Sequence, residues 1–175
     1  MEKLNLIPFE GATEAHDIYR EVKLMEALEM MHEKKIAKAL PFIQQAKLYP
    51  GHLGTGKSYE NEIDFRIEDW MNYLCYSQMN KKKEANEALQ RIIDYVPHPA
   101  TMGGNFSVAN GLITVWAFDR LGQQDKRKQW MNKYAKNNMQ LQSWYQESID
   151  KKKIDFSTVD KSVSLHMLEI LMNEK

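Results

Sequence analysis

Ile63-Asp64-Phe65-Arg66-Ile67-Glu68-Asp69-Trp70-Met71-Asn72-Tyr73-Leu74-Cys75-Tyr76-Ser77-Gln78-Met79-Asn80-Lys81-Lys82-Lys83-Glu84-Ala85-Asn86-Glu87-Ala88-Leu89-Gln90-Arg91-Ile92-Ile93-Asp94-Tyr95-Val96-Pro97 decides the fold of this 175-residue chain. Ile63, Ile67, Trp70 and Leu74 step by four, three and four, and Met71, Cys75 and Met79 make a second apolar line. Both have the period of an α-helix. A helix apolar on two faces is sandwiched between neighbours. After Met79-Asn80 at the turn, Ala85, Ala88, Leu89, Ile92, Ile93 and Val96 form a single stripe, and Pro97 closes the segment. The stretch is a helical hairpin.

Outward from it, breakers cluster in two places: Pro50, Gly51, Gly54 and Gly56, then Pro97, Pro99, Gly103 and Gly104. Between them lie further helical patterns. Ile18, Val22, Met25 and Leu28 step by four, three and three; Val108, Leu112, Val115, Trp116 and Leu121 precede Gly122, where a left-handed C-cap belongs. The periodicity predicts eight helices, at 12–33, 36–48, 62–79, 82–95, 106–121, 124–137, 139–151 and 158–173. Pro41 falls inside the second, which must start later or kink there. Only Leu4-Asn5-Leu6-Ile7 reads as strand-like. The expected fold is all-α: a linker at 1–11, then one helical-repeat domain at 12–175 with hairpins at about 12–48, 62–95, 106–137 and 139–173.

Composition agrees. Eight glycines and five prolines make 13 of 175 residues, below the roughly 12% of average usage. Twenty-four basic and 24 acidic residues cancel, without the basic excess of a nucleic-acid binder. One cysteine cannot form an internal disulfide. The longest apolar run, Gly111 to Phe118, is far short of the ~20 residues of a membrane span. Met1 to Pro8 carry no h-region or cleavage site, so the expected location is cytoplasmic by default.

The decisive hairpin has the small-large-large-proline spacing of a tetratricopeptide unit, Ala85-x3-Leu89-x2-Ile92-x4-Pro97, and spans 35 residues against 34 for that repeat. Ala39-x3-Ile43-x2-Ala46-x3-Pro50 repeats it one residue short. A third copy has Leu121-Gly122, Met131 and Tyr134 in register, but Arg127 stands where the helices touch most closely. Ala39, Ala85 and Arg127 are 46 and 42 residues apart, and the excess over 34 falls in the two glycine/proline loops. Each hairpin alone has too little core, and stacking makes it continuous. The expectation is a right-handed tetratricopeptide-like stack of three clear or partial repeats plus a C-terminal hairpin.

Leu6-Ile7-Pro8-Phe9-Glu10-Gly11-Ala12-Thr13-Glu14, Tyr19-Arg20-Glu21, Tyr49-Pro50-Gly51-His52-Leu53-Gly54-Thr55-Gly56-Lys57, Ile67-Glu68-Asp69-Trp70 and Pro97-His98-Pro99 follow in order. Over residues 4 to about 137 the chain resembles the C-terminal helical region of large bacterial tetratricopeptide proteins. Those carry an N-terminal domain of unknown function resembling a carbohydrate-active β-sandwich. The resemblance implies a helical module appended to a glycan-related protein, with that β-domain outside this sequence.

Gly51-His52-Leu53-Gly54-Thr55-Gly56-Lys57-Ser58 formally fits a phosphate-binding loop, in which Gly56 and the backbone amides would cradle phosphates, Lys57 reach the β/γ oxygens and Ser58 hold Mg²⁺. Leu112 to Asp119 mimics its second motif. Such a loop joins a buried strand to a helix, whereas Phe42 to Leu48 reads as helix, and Tyr59-Glu60-Asn61-Glu62 puts acid where phosphate needs positive potential. The preferred reading is an inter-repeat connector. His16, His32, His52, His98 and His166 have no helical pairing with one another, so no metal site is expected. Cys75 reads as a buried small hydrophobe and Glu68-Asp69 as dipole-complementing acids at a helix start. Lys81–Lys83 and Lys151–Lys153 read as solvated.

In tetratricopeptide register the concave face carries Leu24, Leu28, Met31 and His32 from the first hairpin. The second adds Ile67, Trp70, Leu74 and Ser77, and the third Leu112, Trp116, Asp119 and Arg120. That row suits an apolar or amphipathic segment, unless it is core covered by the last hairpin. The sequence therefore points to a non-enzymatic scaffold without cofactor or metal, binding a protein segment or its own N-terminal domain, and neither nucleic acid nor membrane. The alternatives are nucleotide binding through Gly56, Lys57 and Ser58, and glycan contact through Trp70, Trp116 or Trp144.

Overall fold

The computed structural model describes residues 14–51, 64–96, 107–157 and 162–173. They form α1 (Glu14–His32), α2 (Ile36–Ala46), α3 (Arg66–Gln78), α4 (Lys82–Asp94), α5 (Val108–Arg120), α6 (Gln124–Tyr134), α7 (Met139–Ile149) and α8 (Val163–Asn173), with no strand among the described residues. The fold is all-α, and each expected helix is present. Pro41 sits within α2 on its exposed side, so the carbonyl that loses a partner is near solvent. The linker 1–11 with its strand-like Leu4–Ile7, residues 52–63 and residues 97–106 lie outside the described residues.

One turn is used repeatedly. After α1, Lys34 is left-handed (φ 59°), its N–H donating to the Met31 carbonyl and that of Lys35 to Met30. Asn80 (φ 56°) after α3 and Gly122 (φ 69°) after α5 repeat the pattern, the N–H of Lys81 bonding Tyr76 and that of Gln123 bonding Phe118. This double bond satisfies carbonyls a helix end leaves unpaired. In all three cases the next residue but one, or its neighbour, opens the returning helix, whose N-cap residues Lys35, Lys81 and Gln123 share φ near −90°. Lys151 (φ 55°) closes α7 in the same way, but no helix follows directly.

Small residues set the packing. Ala39, Ala46, Ala85 and Ala88 are buried on α2 and α4, which lets α1 close on α2 and α3 on α4. α2 packs on α3 and α4 on α5, so the pairs join in chain order. α3 is enclosed by α2, α4, α5 and α8; of its two apolar lines Ile67, Trp70, Met71 and Cys75 are buried, and Leu74 and Met79 are half-buried. Where Arg127 replaces the small residue, its guanidinium pairs with Asp119 and lies 5.0 Å over the Tyr145 ring; α6 buries one side chain, Trp130.

The last hairpin departs from expectation. α7 packs on α5, whereas α8 crosses α1, α3 and α5 and does not form its main packing with α7. The separating segment also enters the core, with Ile154 and Phe156 buried and Phe156 edge-on to Trp144, 4.8 Å between ring centres. α8 buries Leu165, Met167 and Leu168 across three helices, while α7 buries Leu141 and Trp144 and leaves Met139 and Ile149 exposed.

Candidate functional site

The inner faces of α1, α3 and α5 are occupied. Leu24, Leu28, Ile67, Trp70 and Leu112 are buried in one core cluster with Leu165, Met167 and Leu168 of α8. Met31, Leu74 and Trp116 are half-buried against that cluster, Asp119 is half-buried, and His32, Ser77 and Arg120 are exposed. Trp116 donates its indole N–H to the Ser148 hydroxyl (3.0 Å), and Arg120 reaches the Tyr73 hydroxyl (3.0 Å). The proposed groove residues thus come together, but as core around the chain's own last helix. Trp70 and Trp144 are buried too, so neither presents a face to a sugar. Gly56, Lys57 and Ser58 lie outside the described residues.

Behind this core runs a belt of charge that the sequence reading did not assemble. Glu68 on α3 is completely buried, and Arg20 of α1 grips both its oxygens, Nη2 to Oε2 at 2.8 Å, while the same Nη2 donates to the Asp64 carbonyl at 2.9 Å. Arg66 binds the Asp64 carboxylate at 2.9 and 2.6 Å and donates to the Asn110 carbonyl (3.1 Å) and the Thr114 hydroxyl (2.8 Å) of α5. Asp69 accepts from Lys47 after α2 (2.8 Å) and Arg91 of α4 (3.0 Å). Burial opposes the charge on Asp64, but the Arg66 charge and hydrogen bonds outweigh it and hold the carboxyl below its usual range. Five helices meet at this belt.

At the belt's edge His16 stacks on Tyr49, ring centres 3.6 Å apart and 7° from parallel, and its Nε2–H donates to the Leu48 carbonyl (3.2 Å). Burial, the largest cause, pushes its pKa below 6.5, against the opposing pull of that hydrogen bond. The folded chain holds His16 neutral, so protons bind the unfolded chain preferentially and stability is lost as pH falls below about 6.5. Melting temperature between pH 7.5 and 5.5 is expected to fall less in His16→Gln, whose amide can keep the hydrogen bond without titrating. Equal slopes would remove His16 as the cause. Burial likewise raises the Cys75 thiol to about 11, which makes it an inert apolar group.

Among the described residues a cleft of about 1240 Å³ lies between α1, the segment 153–157 and α8. Ile154, Phe156 and Leu165 form its floor and Ile18 its lip. Asp17, Glu21, Asp155 and Glu169 line it, with Lys153 and His166; Arg20 is committed to Glu68 and Asp64. The His166 Nδ1 and the Glu21 carboxylate pair across it, joining α8 to α1. From the lip, Ile18, Val22 and Met25 run along the outside of α1 at 51%, 43% and 42% exposure. Their spacing correctly marked a helix, but on the face opposite the core. Among the described residues no three His, Cys, Asp or Glu side chains are placed to hold a metal ion, and no helix is long and apolar enough to cross a membrane. Compared with known proteins, the chain matches no family profile, no curated protein and no solved structure.

Proposed function

We propose that this chain is a non-enzymatic, tetratricopeptide-like scaffold that binds a protein segment, as the C-terminal helical module of a larger glycan-related protein. Support for the repeat reading is the turn recurring at Lys34, Asn80 and Gly122, spaced 46 and 42 residues like Ala39, Ala85 and Arg127, with pairs packed in chain order. The observation that carries the binding role is the exposed row Ile18, Val22 and Met25 beside an apolar-floored cleft, on a helix whose other face is fully packed. The partner surface is accordingly the outside of α1 and its cleft with α8. The inner row Leu24, Leu28, Ile67, Trp70 and Leu112 serves stability.

Thermal unfolding with and without Mg-ATP tests the reading against its rival. Saturation at 100 times Kd stabilises by about 2.7 kcal/mol. The expected result is no change in the full chain. A stabilisation that Lys57→Ala abolishes would transfer the function to nucleotide binding.

A further inference from the structure

We infer that the outer face of α1 receives a cationic amphipathic helix from a partner protein, an inference that rests on the interaction-module reading and names its ligand. The ridge is the first argument. Ile18, Val22 and Met25 step by four and three, so they form one line about 10 Å long, the unit by which one helix seats on another. Ile18 belongs to the cleft as well, so the line continues inward onto Ile154, Phe156 and Leu165.

Charge identifies the partner. The described residues exposed on α1 are Asp17, Ile18, Val22, Met25, Glu29 and His32: three apolar groups, two carboxylates, a histidine, and no lysine or arginine. Glu21 lies beside the ridge, and Asp155 and Glu169 add to it across the cleft against Lys153. The α1 cations are turned elsewhere: Arg20 to Glu68, and Lys23 to Glu26 and the Phe42 ring. In a chain with equal numbers of acidic and basic residues, this surface is therefore locally acidic. An apolar ridge edged by carboxylates complements apolar anchors flanked by Lys or Arg. It repels polyanions and anionic lipid surfaces, and pairing α1 with α1 of a second copy would set acid against acid.

The test titrates the full chain into a labelled 14-residue helical peptide of leucine and lysine, apolar along one face, and into its twin with glutamate for lysine, by fluorescence anisotropy. The lysine peptide is expected to bind at least tenfold more tightly. Val22→Asp, and more mildly Val22→Ser, weaken that binding, Asp17→Asn with Glu29→Gln narrows the preference at least threefold, and Val96→Asp, at an exposed apolar site on another part of the surface, leaves both unchanged. No binding of the lysine peptide, equal binding of both, or equal loss in Val96→Asp overturns the inference. Self-association in sedimentation that Val22→Asp abolishes also overturns it, assigning the ridge to a second copy. If the lysine peptide is ignored while Mg-ATP gives no shift, this ligand alone is wrong and the scaffold reading stands.

Discussion

Glu68→Ala lowers the stability of the chain by about 3–5 kcal/mol, the cost of removing one partner from a buried ion pair. The substitution leaves Arg20 beneath the surface with its strongest counter-charge gone, and with Asp64, through its carbonyl and charge, and the charge of Asp17 to compensate in part. Arg20 spans 48 residues to reach Glu68, so the loss also removes a tie between α1 and α3. For a domain of this size 1 kcal/mol moves the melting temperature by about 2–4 °C, which makes the drop roughly 6–20 °C. Calorimetry measures it directly. Arg20→Met combined with Glu68→Met is expected to recover much of the loss, because replacing both charges by apolar groups removes the desolvation cost along with the pairing. A single substitution costing under 1 kcal/mol would mean the pair is solvated, and the belt would not be a structural tie.

Leu168→Ala is expected to cost about 2–5 kcal/mol in denaturant unfolding, the range for deleting a fully buried leucine side chain. Leu168 is the residue of α8 whose effect most clearly separates a filled inner face from an open one. It has no solvent exposure and shares a cluster with Leu24, Ile67, Trp70 and Leu112. Were α8 loosely laid over an accessible groove, the cavity would be relieved by solvent and the cost would fall under about 0.5 kcal/mol, as at ordinary surface positions. The denaturant dependence should stay single and cooperative, since α8 touches three of the stacked helices and cannot leave without exposing all of them.

Much of the fold was legible. Residues 63–97 predicted a hairpin because spacing of three and four is a local property, and α3 and α4 follow it closely. Gly122 was anticipated as a left-handed cap because glycine reaches positive φ without a Cβ clash. Lys34 and Asn80 adopt the same conformation, and for Lys34 nothing in the residue type signals it. The candidate site was less legible. Leu24 and Val22 are both apolar and both on helical lines of α1, yet one is sealed and the other open. Glu68 and Asp69 looked like ordinary acids at a helix start. Their partners Arg20, Lys47 and Arg91 lie 22 to 48 residues away, beyond any spacing rule.

By itself the sequence determined that the described residues are helical, where their eight helices run, and that the first three helix pairs follow one another, because hydrogen bonding within a helix and the chemistry of its ends act over four or five residues. The tertiary structure alone decided that α8 lies across α1, α3 and α5, that the inner row is core, and that α1 turns an acidic, apolar ridge outward. Those outcomes depend on which surfaces find each other across the whole chain, and burial is a property of that meeting, not of any one segment.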